Sequence, residues 1–230
     1  MLFLISLVVV SVLVVVLQVP LKRYPVVFYL LALALTGLYL YANFVGAAVP
    51  LWRYLLVYLQ RCSLALALFT LVMFAGVLPD GSKLRTLLFS LRRELSILGC
   101  ILASGHVVAY AAVFLPRMVT GFETTSANVL VSLSISLILT VLLAVLTLTS
   151  FVAVHKAMSP EGWKRVQLLA YPFFGLIYVH LVLVLAPSAL VGNASAVLSL
   201  TAYTVLFGGY LVLRVRKAIK AQSNETVALN

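Results

Sequence analysis

Charge is what this sequence has least of. Only 9% of its 230 residues are Asp, Glu, Lys or Arg, while 64% are hydrophobic and the mean hydropathy is +1.20. That balance excludes a water-soluble domain and describes an integral membrane protein. Acids are scarcer still, five against sixteen bases. Asp80, Glu94, Glu123, Glu161 and Glu225 are all expected at or beyond the ends of apolar runs. Paired intramembrane carboxylates are thus missing, as are Gly/Pro-broken spans in symmetric positions, which argues against an ion-coupled transporter. Of two cysteines, Cys62 is expected in the outer part of one run and Cys100 in the inner part of the next, a mismatch that excludes a disulfide. There is no phosphate-binding loop, dinucleotide fingerprint, zinc spacing, hydrolytic triad, long linker or clear repeat.

What is present is a series of apolar runs, continuous rather than alternating, as helices and not barrel strands would give. A hydrocarbon layer of about 30 Å needs about 20 residues per helical crossing. Seven runs have roughly that length: 1–19, 25–48, 53–78, 94–116, 128–154, 163–187 and 195–213. The first is closed by Pro20, Lys22 and Arg23, with no charge before it, which reads as a retained span and not a cleaved signal. Pro50 and Trp52 mark a turn, and 117–127 a polar loop. Residues 83–93 form either an interfacial amphipathic helix or the foot of the next span.

The expected fold is therefore an all-α bundle of about seven transmembrane helices in the cell membrane. Counted over alternate connections, thirteen cations from Lys22 to Lys220 fall on one side; only Arg53, Arg61 and Arg117 fall on the other. By the positive-inside rule the C-terminus is cytoplasmic and the N-terminus external. Topology and attraction to an anionic leaflet account for the +11 net charge, with no nucleic-acid partner.

Three histidines remain. At about 1.5 Å per residue, His106 lies roughly 20 Å beyond Arg93 and His180 roughly 22 Å beyond Arg165, on two spans that run the same way. Matched depth suggests one shared ligand, and b-type haem suits so apolar a setting. Gly99 and Ala103, on the His106 face, would leave room for a flat macrocycle; Phe173 and Ile177 near His180 are bulkier. The plainer reading makes each imidazole a hydrogen-bonded link between helices. His155 is expected at the cytoplasmic mouth of its span, hydrated. Arg61, about 12 Å into its helix, either meets a haem propionate, with Arg117 as second candidate, or snorkels to headgroups. Asn193-Ala194-Ser195 fits the glycosylation pattern.

These residues resemble a known family. Arg92, Arg93 and His106, then Thr149-Ser150, Trp163 and His180, with Gln60-Arg61-Cys62-Ser63 before them, are similar to the ferric reductase-like transmembrane domain over about 58–187. Within it the likeness is to the haem-binding membrane subunits that serve periplasmic methionine-sulfoxide reductases. The resemblance implies two N-terminal helices over 1–52, a haem-binding four-helix core over 53–187, and a last helix with a basic cytoplasmic tail over 188–230. It implies one bis-histidine haem b on His106 and His180. A second haem is not implied, because Gln167 stands where the family's inner histidine would be and Arg93 at its partner position. Electrons would come from a quinol or a cytoplasmic flavoprotein and pass to an external partner oxidoreductase; a quinone or flavin is the implied cytoplasmic-side group. The alternative is a non-redox scaffold or transporter subunit whose histidines only bridge helices.

Overall fold

A computed structural model describes residues 2–46, 52–119, 121 and 126–228, and they are helical almost throughout. The turn expected at Pro50, and Glu123 with most of its loop, lie outside the described residues. In chain order the helices are α1 (Leu2–Val16), α2 (Gln18–Arg23), α3 (Pro25–Val45), α4 (Trp52–Gln60), α5 (Ser63–Ala75), α6 (Lys83–Val119), α7 (Ala127–Leu148), α8 (Val152–Ala157), α9 (Pro160–Gln167), α10 (Ala170–Leu190) and α11 (Ala194–Ala228). Their limits follow local chemistry. Pro25 opens α3 at a first-turn position, where its missing N–H costs nothing, and Gly46 closes it at φ 70°. Ser159 caps α9 by accepting from the Gly162 N–H.

Among the described residues, five helical stretches are long and apolar enough to cross a membrane, six when the bent pair α4–α5 counts as one. The first run forms a 15-residue helix, shorter than the others. The protein is an integral membrane protein with multiple spans. Residues 83–93 are the foot of the span: α6 runs unbroken for 37 residues.

Packing centres on α5, which lies against α6 and α1, while α6 also holds α3. Ala65, Ala67 and Ala75 are fully buried, so small side chains let the backbones approach closely. On the other side α10 packs between α7 and α11, where Phe174, Phe207 and Tyr210 meet with ring centroids 4.5–5.1 Å apart.

One expectation needs correction: the third span is not one continuous helix but bends by 56° between Gln60 and Ser63. Glu94, next to the foot of α6, is only 4% exposed, with the exposed Arg93 donating to its carboxylate at 2.7 Å and 3.1 Å. The neighbouring guanidinium is what allows that carboxylate to be buried.

Candidate functional site

The site begins at the bend. A helix ending inside an apolar bundle leaves its last four carbonyls without helical partners, and each must find a donor. All four of α4 do so. The Val57 carbonyl accepts from Arg61 N at 3.0 Å and Leu59 from Cys62 N at 2.9 Å. Tyr58 accepts from the Ser63 hydroxyl at 3.1 Å, and Gln60 from His106 Nδ1 at 2.6 Å. The chain turns at Cys62, which adopts φ 54°, ψ 20° and is the one non-glycine residue with positive φ among those described.

A carbonyl can only accept, so Nδ1 of His106 carries the proton and Nε2 keeps its lone pair. His180 is held from α7 at the same ring nitrogen. Its Nδ1 lies 3.0 Å from the Ser132 hydroxyl and 3.2 Å from that of Ser136. Ser136 donates its own proton to the Ser132 carbonyl at 2.8 Å, so its oxygen can accept from the ring, while the Ser132 hydroxyl can either donate or accept. The setting is telling, because α7 is the most apolar span and Ser132 is its one fully buried residue. His106 is also near enough to act electrostatically on His180. Each imidazole thus has Nδ1 engaged, with no hydrogen bond to Nε2 among the described residues.

The remaining expected residues lie elsewhere. Arg61 is exposed and lines a cavity of about 180 Å³ between the ends of α1 and α11, with Ser63, Ser195, Ser199 and Tyr203. Neither imidazole lines it. Arg117 sits at the far end of α6, its guanidinium 5.2 Å from the Phe114 ring. Between it and His106 runs a ladder of rings on one helix face: His106 to Tyr110 at 4.6 Å and Tyr110 to Phe114 at 6.4 Å. His155 is exposed, as expected, its ring 4.7 Å from Trp163. Asn193 caps α11, its side-chain oxygen accepting from Ala196 N.

Gly99 does not open space for a macrocycle: a Cβ there would come within 2.7 Å of the Phe69 ring, so the glycine serves the contact between α6 and α5. Gly105 plays the same part toward α3, where a Cβ would meet Thr36 at 2.9 Å. The position of the family's inner histidine is taken by a hydrogen-bonded amide. Gln167 donates to the Thr149 hydroxyl at 3.1 Å, and the cavity beside it is about 50 Å³, enough for a few waters.

No group of three or more His, Cys, Asp or Glu gathers to hold a bare metal ion among the described residues. Two imidazoles with Nε2 unengaged are the donor set needed by an iron whose other four ligands arrive with a macrocycle, so the residues fit a bis-histidine haem.

Comparison with known sequences decides the family. Residues 61–178, a little over half of the chain, match the ferric reductase like transmembrane component. The chain belongs to that family. Ferric reductase-like components are typically haem-containing electron-transfer subunits of membranes. This one is also similar to an uncharacterized protein of Treponema pallidum (strain Nichols), 40% identical over 216 residues. That match covers 93% of this chain and 60% of the relative, so the chain spans somewhat under two thirds of the relative's length. No solved structure matches the chain.

Proposed function

We propose that this ferric reductase-like chain is the haem-carrying subunit of a membrane electron-transfer system, with His106 and His180 ligating one b-type haem through Nε2. When bound, the haem supplies a one-electron carrier inside the bilayer. The supporting observation is that Gln60 on one side, and Ser132 with Ser136 on the other, engage each Nδ1, which leaves Nε2 of each ring as the nitrogen to face a ligand and fixes the lone pair there in His106. The chain's own part is to fix the His106 tautomer and keep the pair in an apolar setting. Gln167, Thr149 and the small cavity beside them favour one haem over two.

The first run, with α2 extending it, completes seven crossings in this reading, with the basic connections and the C-terminus on the cytoplasmic side. Electrons come from a quinol or a cytoplasmic flavoprotein and leave to an external partner oxidoreductase, as the likeness to methionine-sulfoxide reductase subunits suggests. Arg61 and Arg117, both on the expected external side, are the candidates for the haem propionates.

An absorption spectrum of protein purified after haem-replete expression tests the reading. Reducible b-type Soret and α bands are expected, lost in His106→Ala and in His180→Ala. Colourless wild-type protein would make the same hydrogen bonds simple links between helices.

A further inference from the structure

We infer that the left-handed turn at Cys62 is a positioning device for His106: by breaking the helix one residue after Arg61, it frees the Gln60 carbonyl to fix the tautomer and direction of the imidazole. This rests on the haem reading above and adds to it a residue that touches neither iron nor macrocycle.

In an unbroken helix the Gln60 carbonyl would accept from Leu64 N, four residues on. Here Cys62 at φ 54° ends α4, and α5 starts afresh at Ser63 with its own ladder, Leu66 N donating to the Cys62 carbonyl at 2.9 Å. The three carbonyls before Gln60, those of Val57, Tyr58 and Leu59, are satisfied within three to five residues, by Arg61 N, the Ser63 hydroxyl and Cys62 N. Gln60 alone reaches across to another helix, 46 residues away in sequence, and its 2.6 Å bond is the shortest histidine contact in the site. Ser63, 1% exposed, is pinned in turn by the Ser6 hydroxyl of α1 at 3.0 Å, which locks the start of α5.

A backbone acceptor has a specific advantage: it cannot rotate away or reverse its polarity as the serine hydroxyls on His180 can. The left-handed conformation is one that most side chains avoid, so a non-glycine residue there calls for a compensating role. The freed carbonyl supplies one. The thiol itself is not needed in this account; what matters is that residue 62 keeps positive φ.

Two substitutions separate backbone from side chain. Cys62→Gly accepts positive φ freely; Cys62→Val, β-branched, resists it and favours a continuous helix in which Leu64 N reclaims the Gln60 carbonyl. Cys62→Gly should keep wild-type haem retention, visible spectrum and midpoint potential. Cys62→Val should weaken haem retention about 10–100-fold, the usual penalty for losing a partner of a ligating histidine. It should also raise the midpoint potential, since an imidazole without its acceptor donates less to ferric iron.

A second measurement needs no haem. Ring-nitrogen NMR shifts of His106, assigned by difference from His106→Gln in the haem-free full chain, should show Nδ1 protonated and Nε2 bare in the wild type and in Cys62→Gly. A wild-type imidazole protonated on Nε2 would overturn the inference, even if Cys62→Val fails to fold. So would a Cys62→Val protein with wild-type retention and potential, or a Cys62→Gly protein as impaired as Cys62→Val. A colourless wild type with His106 protonated on Nδ1 would instead sink the haem reading and leave the orienting bond standing.

Discussion

Trp163 and Gln167, one turn apart on α9, hold the same residue: the indole Nε1 donates to the Thr149 carbonyl and the amide Nε2 to the Thr149 hydroxyl, each at 3.1 Å. Together they clamp the end of α7 to the start of the α9–α10 segment. Gln167→Leu should lower stability by about 1 kcal/mol, the ordinary value of such a bond. A Gln167→Leu protein that melts with the wild type would show the clamp to be carried by Trp163 alone.

Restoring the histidine at that position should not restore a second haem. In Gln167→His the matching place on α6 is still Arg93, occupied with Glu94, and the neighbouring cavity is only about 50 Å³. Haem content measured as the pyridine haemochrome against protein should stay at one per chain; two per chain would show that the bundle opens to accept it.

The membrane-spanning helices were legible because continuous apolar runs carry their own signal, although the first run gives a helix of only 15 residues and the third is bent. The bend at Cys62 was not legible. No glycine or proline marks it, and what sustains it is a histidine from another helix. The role of Gly99 was misread for a similar reason, since a glycine on an apolar face looks the same whether a ligand or a phenyl ring fills the space. The burial of Glu94 was hidden by adjacency, since a carboxylate beside the exposed Arg93 looks equally exposed in the sequence.

The serine pair on His180 gives a graded test. Each of Ser132→Ala and Ser136→Ala leaves one hydroxyl near Nδ1, so each alone should weaken haem retention only a few-fold. The double variant leaves the ring without a partner and should lose about 10–100-fold. Retention is read from the rate of haem transfer to apomyoglobin. Equal losses in single and double variants would place the whole effect on one hydroxyl.

Gly99→Ala should cost about 1–3 kcal/mol, as overpacking does, because its methyl would press on the Phe69 ring. Phe69→Leu in the same chain should recover part of that cost, a non-additive result that denaturation in detergent can measure.

Asp80 gives the pH dependence. The Lys217 hydrogen bond foremost, then the charges of Arg85 and Lys217, hold its carboxyl below the usual carboxylate range. A carboxyl depressed in the folded state stabilises above its unfolded value, about 3.9, and loses that contribution as pH falls through the folded one. Lys217 on α11 also donates to the Leu78 carbonyl at 3.2 Å, so the contact ties the basic tail to the turn after α5. Amide exchange in the tail should therefore speed up in Asp80→Asn at pH 7, and the difference from wild type should vanish as pH drops below the folded value. A difference that persists in acid would assign the tie to the carbonyl contact alone.

The unbroken α6 has a mechanical consequence. Its 37 residues make a strut about 55 Å long, nearly twice the hydrocarbon thickness of about 30 Å. Arg92 and Arg93 ride on the same rod as His106, about 20 Å along it from the imidazole. A rod this long answers a change in bilayer thickness by tilting rather than compressing. In such tilting the imidazole and the two arginines keep a fixed separation along the axis, because all three belong to one helix.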